Sequence, residues 1–290
     1  MSIDMRPGKV IAKKYVLGDE INCGSFARVF QIKKINEKEF TKVLKMGKSN
    51  ELNEKYQTEV SILKCCRGQK SFPQITDEIS INNFKCIVMT HSGESVADLL
   101  ERKPTQKFSN SNILRMTTSL FRALDTLHRI GFVHRDIHKG NMMLKLSNGL
   151  LVFTLIDFGN SALAKSTLKY HSKSIAININ VNFGKTEDYA PIDDFINSMY
   201  CLTKCAGIQL FNVRFEAMIQ AKEKFHRDPC AVYDSSRKWM GLIMLKLLEI
   251  KKGQLKDQKS VRKILDTAIP HCLPTSPIKF KIMEDEVYIE

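Results

Sequence analysis

His134-Arg135-Asp136-Ile137-His138-Lys139-Gly140-Asn141, with Asp157-Phe158-Gly159 downstream, decides how this chain is read. The octet sets one carboxylate, Asp136, near an amide, Asn141. The triplet adds a second carboxylate, Asp157. A carboxylate that orients a hydroxyl nucleophile and another that holds metal form the set phosphoryl transfer requires. The protein's share of that chemistry is positioning and charge neutralisation, not covalent bond making. Each piece alone carries little information; together, in this order and spacing, they are specific.

Working upstream, residues 15–21, 27–33 and 40–46 are short alternating runs separated by turn residues, the pattern of strands. Between the first two lies Asn22-Cys23-Gly24-Ser25-Phe26-Ala27-Arg28-Val29, and Lys45 follows Lys42-Val43-Leu44 on the third. Residues 51–66 have helical spacing through Leu52, Tyr56, Val60 and Leu63, with Gly68 as a stop. Residues 75–81 and 84–89 read as a hairpin around Asn82-Asn83. Beyond Gly93 helices dominate. The clearest spans residues 112–129, with Ile113, Met116, Leu120, Leu124 and Leu127 on one face and Ser109 or Ser111 as a cap. Further helices are expected at 193–205, 214–225, 236–250 and 260–269. Residues 1–13 and 270–290 read as loosely attached tails.

Taken together, these motifs resemble the eukaryotic protein kinases. Val88-Met89-Thr90-His91-Ser92-Gly93-Glu94-Ser95-Val96-Ala97-Asp98-Leu99 and Tyr189-Ala190-Pro191-Ile192 are most similar to the casein kinase I and tau-tubulin kinase group. The likeness covers about residues 15–248. It implies an α+β, two-lobed protein kinase fold, with a small antiparallel-sheet N-lobe carrying one helix and a larger, mainly helical C-lobe. The expected organisation is a tail at 1–14, a kinase domain at 15–269 (lobes 15–91 and 94–269) and a second tail at 270–290.

The resemblance also implies roles. Asn22, Gly24, Ser25, Ala27 and Val29 would lie over ATP, where small residues let backbone N–H groups approach phosphate. Lys45 would contact the α- and β-phosphates, with Glu59 as its ion partner. Asp136 would orient the substrate hydroxyl; Asn141 and Asp157 would bind Mg²⁺. Met89 would back the adenine pocket, and Thr90 to Ser92 would form the hinge. Asp194 would brace the catalytic loop. His134 and Phe158 read as packing residues, and Thr167, Tyr170, Ser172 and Ser174 as candidate modification sites.

Three features depart from the group. Only Gly24 of the usual three loop glycines is present. His138 stands where a lysine usually steadies the γ-phosphate, and a neutral imidazole brings less charge; it stays among the expected catalytic residues. Asp193-Asp194 follows Ile192 directly, which shortens the stretch that supports a peptide substrate. Three readings follow: a serine/threonine kinase, a kinase-fold scaffold that binds nucleotide and a partner protein, and a small-molecule kinase. Arg135, Gly159 and the hinge block count against the last.

Composition sets the outer limits. With 43% apolar and 26% charged residues the chain fits an ordinary globule. No apolar run reaches membrane-spanning length, no secretory signal is visible, and the eight cysteines lack a disulfide or zinc spacing. Reduced thiols in a cytoplasmic or nuclear monomer are expected. A net charge of +14 favours acidic or phosphorylated protein substrates. The lysines are dispersed without interleaved aromatics, so no nucleic-acid site is expected.

Overall fold

Alternating runs build the first part of the molecule. A computed structural model describes residues 4–24, 27–47, 53–82, 84–164, 189–211, 215–255 and 257–290. Contacts divide the chain into two units, Met1–Gly93 with Ile156–Ser161, and Glu94–Leu155 with Ala162–Glu290. The architecture is α+β.

In the first unit, β1 (Val10–Ile11), β2 (Tyr15–Cys23), β3 (Ala27–Lys34), β4 (Lys42–Gly47), β5 (Ile75–Ile81) and β6 (Phe84–Thr90) form one sheet in the order β1-β2-β3-β4-β6-β5. All neighbours are antiparallel. Period-two alternation sends Leu17, Phe30, Ile32, Leu44, Met46, Cys86 and Val88 into one core, joined by Met5, Ile11 and Tyr15. The sheet curls on itself. Asp77 on β5 accepts hydrogen bonds from Tyr15 Oη (2.9 Å) and Lys14 Nζ (2.5 Å), at the opposite edge. Helix α1 (Asn53–Cys65) buries Glu59, Val60, Ile62 and Leu63. In the β5–β6 turn Asn82 takes a φ of 47°, which asparagine tolerates.

The second unit holds the remaining helices: α2 (Val96–Glu101), α3 (Asn110–Arg129), α4 (Pro191–Cys205), α5 (Phe215–Arg227), α6 (Lys238–Lys251) and α7 (Lys259–Thr267). A 3-10 turn at Pro229–Val232 precedes α6. Among them lie β7 (Glu94–Ser95), β8 (Phe132–Val133), β9 (Met142–Ser147), β10 (Leu150–Leu155), β11 (Ala162–Leu163), β12 (Phe280–Met283) and β13 (Glu286–Ile289). The apolar face expected of α3 is fully buried, and Ser109 is its cap, accepting the Asn112 N–H at 3.4 Å. Helix α4 starts two residues before the expected Asp193. Pro191 suits the first turn, and the Asp193 carboxylate takes the Ala190 N–H at 2.9 Å. The β9–β10 hairpin turns at Asn148-Gly149, both with positive φ, a sequence signal the reading above leaves unassigned.

The expectation of loose tails is corrected at both ends. Residues before 15 pair β1 with β2 and bury Met5 and Ile11. The stretch 270–290 folds into the β12–β13 hairpin, held by Arg102, Lys103 and Arg115 and by a fully buried amide of α3. Asn112 donates through Nδ2 to the carbonyls of Lys279 (2.8 Å) and Glu290 (3.0 Å), and its Oδ1 accepts the Lys279 N–H (2.9 Å) and Arg115 Nη1 (3.0 Å). No helix among the described residues is long and apolar enough to cross a membrane.

Two predictions follow from this packing. Asn112→Leu orphans the Lys279 N–H and takes one of two partners from the Lys279 and Glu290 carbonyls, so it should lower stability by about 1–3 kcal/mol in urea unfolding at neutral pH; a change below about 0.5 kcal/mol would remove Asn112 from this role. The second concerns His226, whose Nε2 accepts from Tyr200 Oη. Burial, aided by Lys222, Lys251 and Lys252, lowers its pKa to about 4. An unfolded histidine takes up its proton near 6.5, before the folded one does. The stability it contributes is therefore intact above that pH and is lost as pH falls toward 4, by roughly 2 kcal/mol for a half-buried ring. His226→Gln should flatten stability between pH 6.5 and 4; equal slopes would contradict this.

Candidate active site

Strand register places the first group of site residues. Val29 on β3, Lys45 on β4 and Ile87 on β6 are cross-strand partners, so their side chains share the sheet face opposite the core. Asn22 pairs with Val29 in turn, and Ala27 with Gly47. That face lines a cavity of about 110 Å³, which also includes Gly24, Glu59, Asp157, Gly159 and Asn160. Every lining residue belongs to the first unit.

Lys45 is the centre of the cavity's charge. Its Nζ donates to Glu59 Oε1 (2.8 Å) and Oε2 (2.7 Å) and to Asp157 Oδ1 (2.7 Å). Burial alone would push the ammonium down. Asp157 and Glu59 more than offset this and hold it above the ordinary lysine range. Asp157 adopts a φ of 66°, a left-handed conformation costing a non-glycine residue about 1–2 kcal/mol. Beside it, Phe158 is fully buried against Phe72, with ring centroids 5.6 Å apart, and its N–H donates to Glu59.

Other expected residues are placed differently. Asn22 continues β2. Gly24 has no positive φ, and an added Cβ would meet only the Ala27 carbonyl at an ordinary 3.6 Å. Ser25 lies outside the described residues, as do Thr167, Tyr170, Ser172 and Ser174. Met89 is buried opposite Val43 on the face that carries Lys45. The Thr90 N–H is spent on the Gln74 carbonyl (3.0 Å) and the His91 N–H on that of Thr41 (3.0 Å). The Ser92 N–H makes no hydrogen bond among the described residues. Sequence reasoning missed Lys55, Tyr56 and Asn160 as lining residues. The signal available for Lys55 was its place one helical turn before Glu59.

The second unit holds the octet. Asp194, fully buried at the start of α4, accepts the N–H groups of His134 (2.8 Å) and Arg135 (3.0 Å). Tyr189 Oη (2.5 Å) and His128 Nε2 (2.8 Å) complete its shell. Burial pushes this carboxyl up, but the His128 and Tyr189 contacts and nearby His134 hold it below the usual range. The brace lets Arg135 keep a φ of 69°. Further along, the His134 ring, fully buried, accepts the Asp136 N–H at 3.3 Å. Asn141 Nδ2 donates to the Asp136 carbonyl (2.9 Å), leaving Oδ1 as the amide's acceptor.

His138 folds back over Gly140. Its Nδ1 accepts the Gly140 N–H (3.1 Å), so a neutral ring carries its proton on Nε2, which lies 3.9 Å from Asp136 Oδ1. A Cβ at Gly140 would sit 3.0 Å from that ring.

Asp194→Asn would set an amide NH₂ among donors. It should cost about 3 kcal/mol or more and speed hydrogen exchange at the His134 and Arg135 amides. Unchanged protection there would show that the loop does not hang on Asp194.

Comparison with known proteins fits this geometry. Over 163 residues the chain is 28% identical to a probable serine/threonine-protein kinase of Dictyostelium discoideum, covering 52% of this chain and 12% of that protein. It is 29% identical over 154 residues to a probable casein kinase I homolog of Encephalitozoon cuniculi, covering 51% and 46%. A putative casein kinase I of Caenorhabditis elegans matches at 21% over 193 residues, covering 66% and 56%. The chain thus spans little more than half of these relatives' length at most. The protein kinase domain model matches residues 15–189, well over half of the chain. With the motif set and the sheet-borne Lys45 cluster in place, the chain belongs to the protein kinase family, as a divergent member similar to casein kinase I.

Proposed function

We propose that this protein is an ATP-dependent serine/threonine protein kinase that transfers the γ-phosphate to a protein hydroxyl. The observation that carries the reading is the Lys45 ammonium, bonded to both Glu59 oxygens and to Asp157 inside a cavity. A cation held on the sheet by a buried carboxylate is suited to the α- and β-phosphates. Asn22, Gly24, Ser25, Ala27 and Val29 would flank the nucleotide. Met89 would back the base, the Thr90 carbonyl would accept from it, and the uncommitted Ser92 N–H would donate to it.

Asp157 and Asn141 fit Mg²⁺ as hard oxygen donors: a carboxylate at the cavity wall and an amide whose nitrogen is already spent. When bound, the ion would neutralise phosphate charge. Asp136 would accept the proton of the substrate hydroxyl, and His138 would present Nε2–H where related kinases carry a lysine. The serine/threonine assignment rests on the names of the relatives and on the family likeness. Acidic or phosphorylated protein segments suit a chain of charge +14. His138 favours a second reading, a nucleotide-binding scaffold with little turnover.

Phosphate transfer from labelled Mg·ATP to casein and to the protein itself separates the two. The kinase reading expects transfer that falls at least 100-fold in Asp136→Asn, with ATP affinity kept within about threefold. Equal transfer by that variant would strip Asp136 of its role. No transfer by the wild type, despite Mg²⁺-dependent ATP binding, would establish the scaffold.

A further inference from the structure

Lys55 is not among the residues the motif set assigns. It stands on α1 one turn before Glu59, and both line the cavity. Its Nζ donates to Asn160 Oδ1 at 2.7 Å, and its Cβ lies 3.8 Å from where a side chain on Gly159 would begin. The stem of Lys55 therefore packs over the glycine of Asp157-Phe158-Gly159 while its tip holds the residue that follows.

Helix and turn are tied at two levels. One is Glu59, through Lys45 to Asp157 and directly to the Phe158 N–H. The other is Lys55 to Asn160. The first tie alone leaves Asp157 free to pivot about a residue already in the left-handed region. The second fixes the far end of that turn.

We propose that Lys55 and Asn160 form a positioning clamp that orients the Asp157 carboxylate for the metal–nucleotide complex. The clamp rests on the nucleotide-site reading above. It acts through Asp157, so its loss is felt where the metal contributes to binding. Mg²⁺-free ATP, which does not call on the carboxylate, is indifferent to it. The pair is also mutually dependent: removing either partner removes the whole device, and a substitute that keeps the hydrogen bond keeps the function.

The test is calorimetric ATP affinity with and without Mg²⁺ for the full chain and for Lys55→Met, Lys55→Arg, Asn160→Ala and Lys55→Met/Asn160→Ala. The clamp predicts that Lys55→Met and Asn160→Ala each weaken Mg·ATP binding about tenfold while Mg²⁺-free ATP changes by less than twofold. The double variant should be no worse than either single one, and Lys55→Arg should recover affinity to within about threefold of wild type. A loss that is equal with and without Mg²⁺ would make Lys55 a direct phosphate contact and overturn the proposal, as would additive losses in the double variant. Retention of the Mg²⁺ gain by Lys55→Met would sink the clamp while leaving the nucleotide site standing. Absence of Mg²⁺-dependent binding in the wild type would bring down both.

Discussion

The ammonium of Lys45 is the constraint around which the first unit is organised. A buried cation is tolerated only when paired and fully bonded, and this one has three carboxylate oxygens within 2.8 Å. Each partner comes from a different element: strand β4, helix α1 and the segment 156–161. Removing Lys45 would leave two carboxylates facing one another, so the cluster fixes the rotation of α1 and the course of the Asp157 turn. The sheet supplies the rest. Alternation carries Val29, Lys45 and Ile87 onto one face while Phe30, Leu44 and Val88 pack the other.

The second unit uses the same principle with the sign reversed. Asp194 is a buried anion satisfied by two backbone N–H groups, a tyrosine and a histidine. It holds Arg135 in a left-handed conformation that the residue would not choose unaided. Helix α3 contributes Asn112, a buried amide that satisfies backbone groups near both ends of the β12–β13 hairpin. In each unit a small number of saturated polar groups sets the course of backbone that apolar packing leaves open.

What was legible in the sequence follows the same division. Long periodic segments announce themselves: the face of α3 and the alternation of β3 and β4 need only local burial. The motif residues were legible because their spacing is specific. Two-residue strands such as β7, β8 and β11 have no periodicity to read, since tertiary pairing alone creates them. The β12–β13 hairpin was missed because its docking uses Arg102, Lys103 and Asn112, all well over 150 residues away. Lys55 was missed because its partner Asn160 is brought close only by the fold. Among the motif residues, left-handed backbone sits at Arg135 and Asp157, which no local sequence pattern marks.

A basic chain attracts nucleotide nonspecifically, so binding alone would say little about the cavity. The direct measurement is NMR observation of lysine ammonium groups during a titration with Mg·ATP, with Lys45 assigned by Lys45→Arg. The account predicts a saturable shift of the Lys45 signal, while a highly exposed lysine such as Lys259 stays still. A Lys45 signal that does not respond, while surface lysines do, would contradict the claim that the Lys45 cluster is the phosphate site.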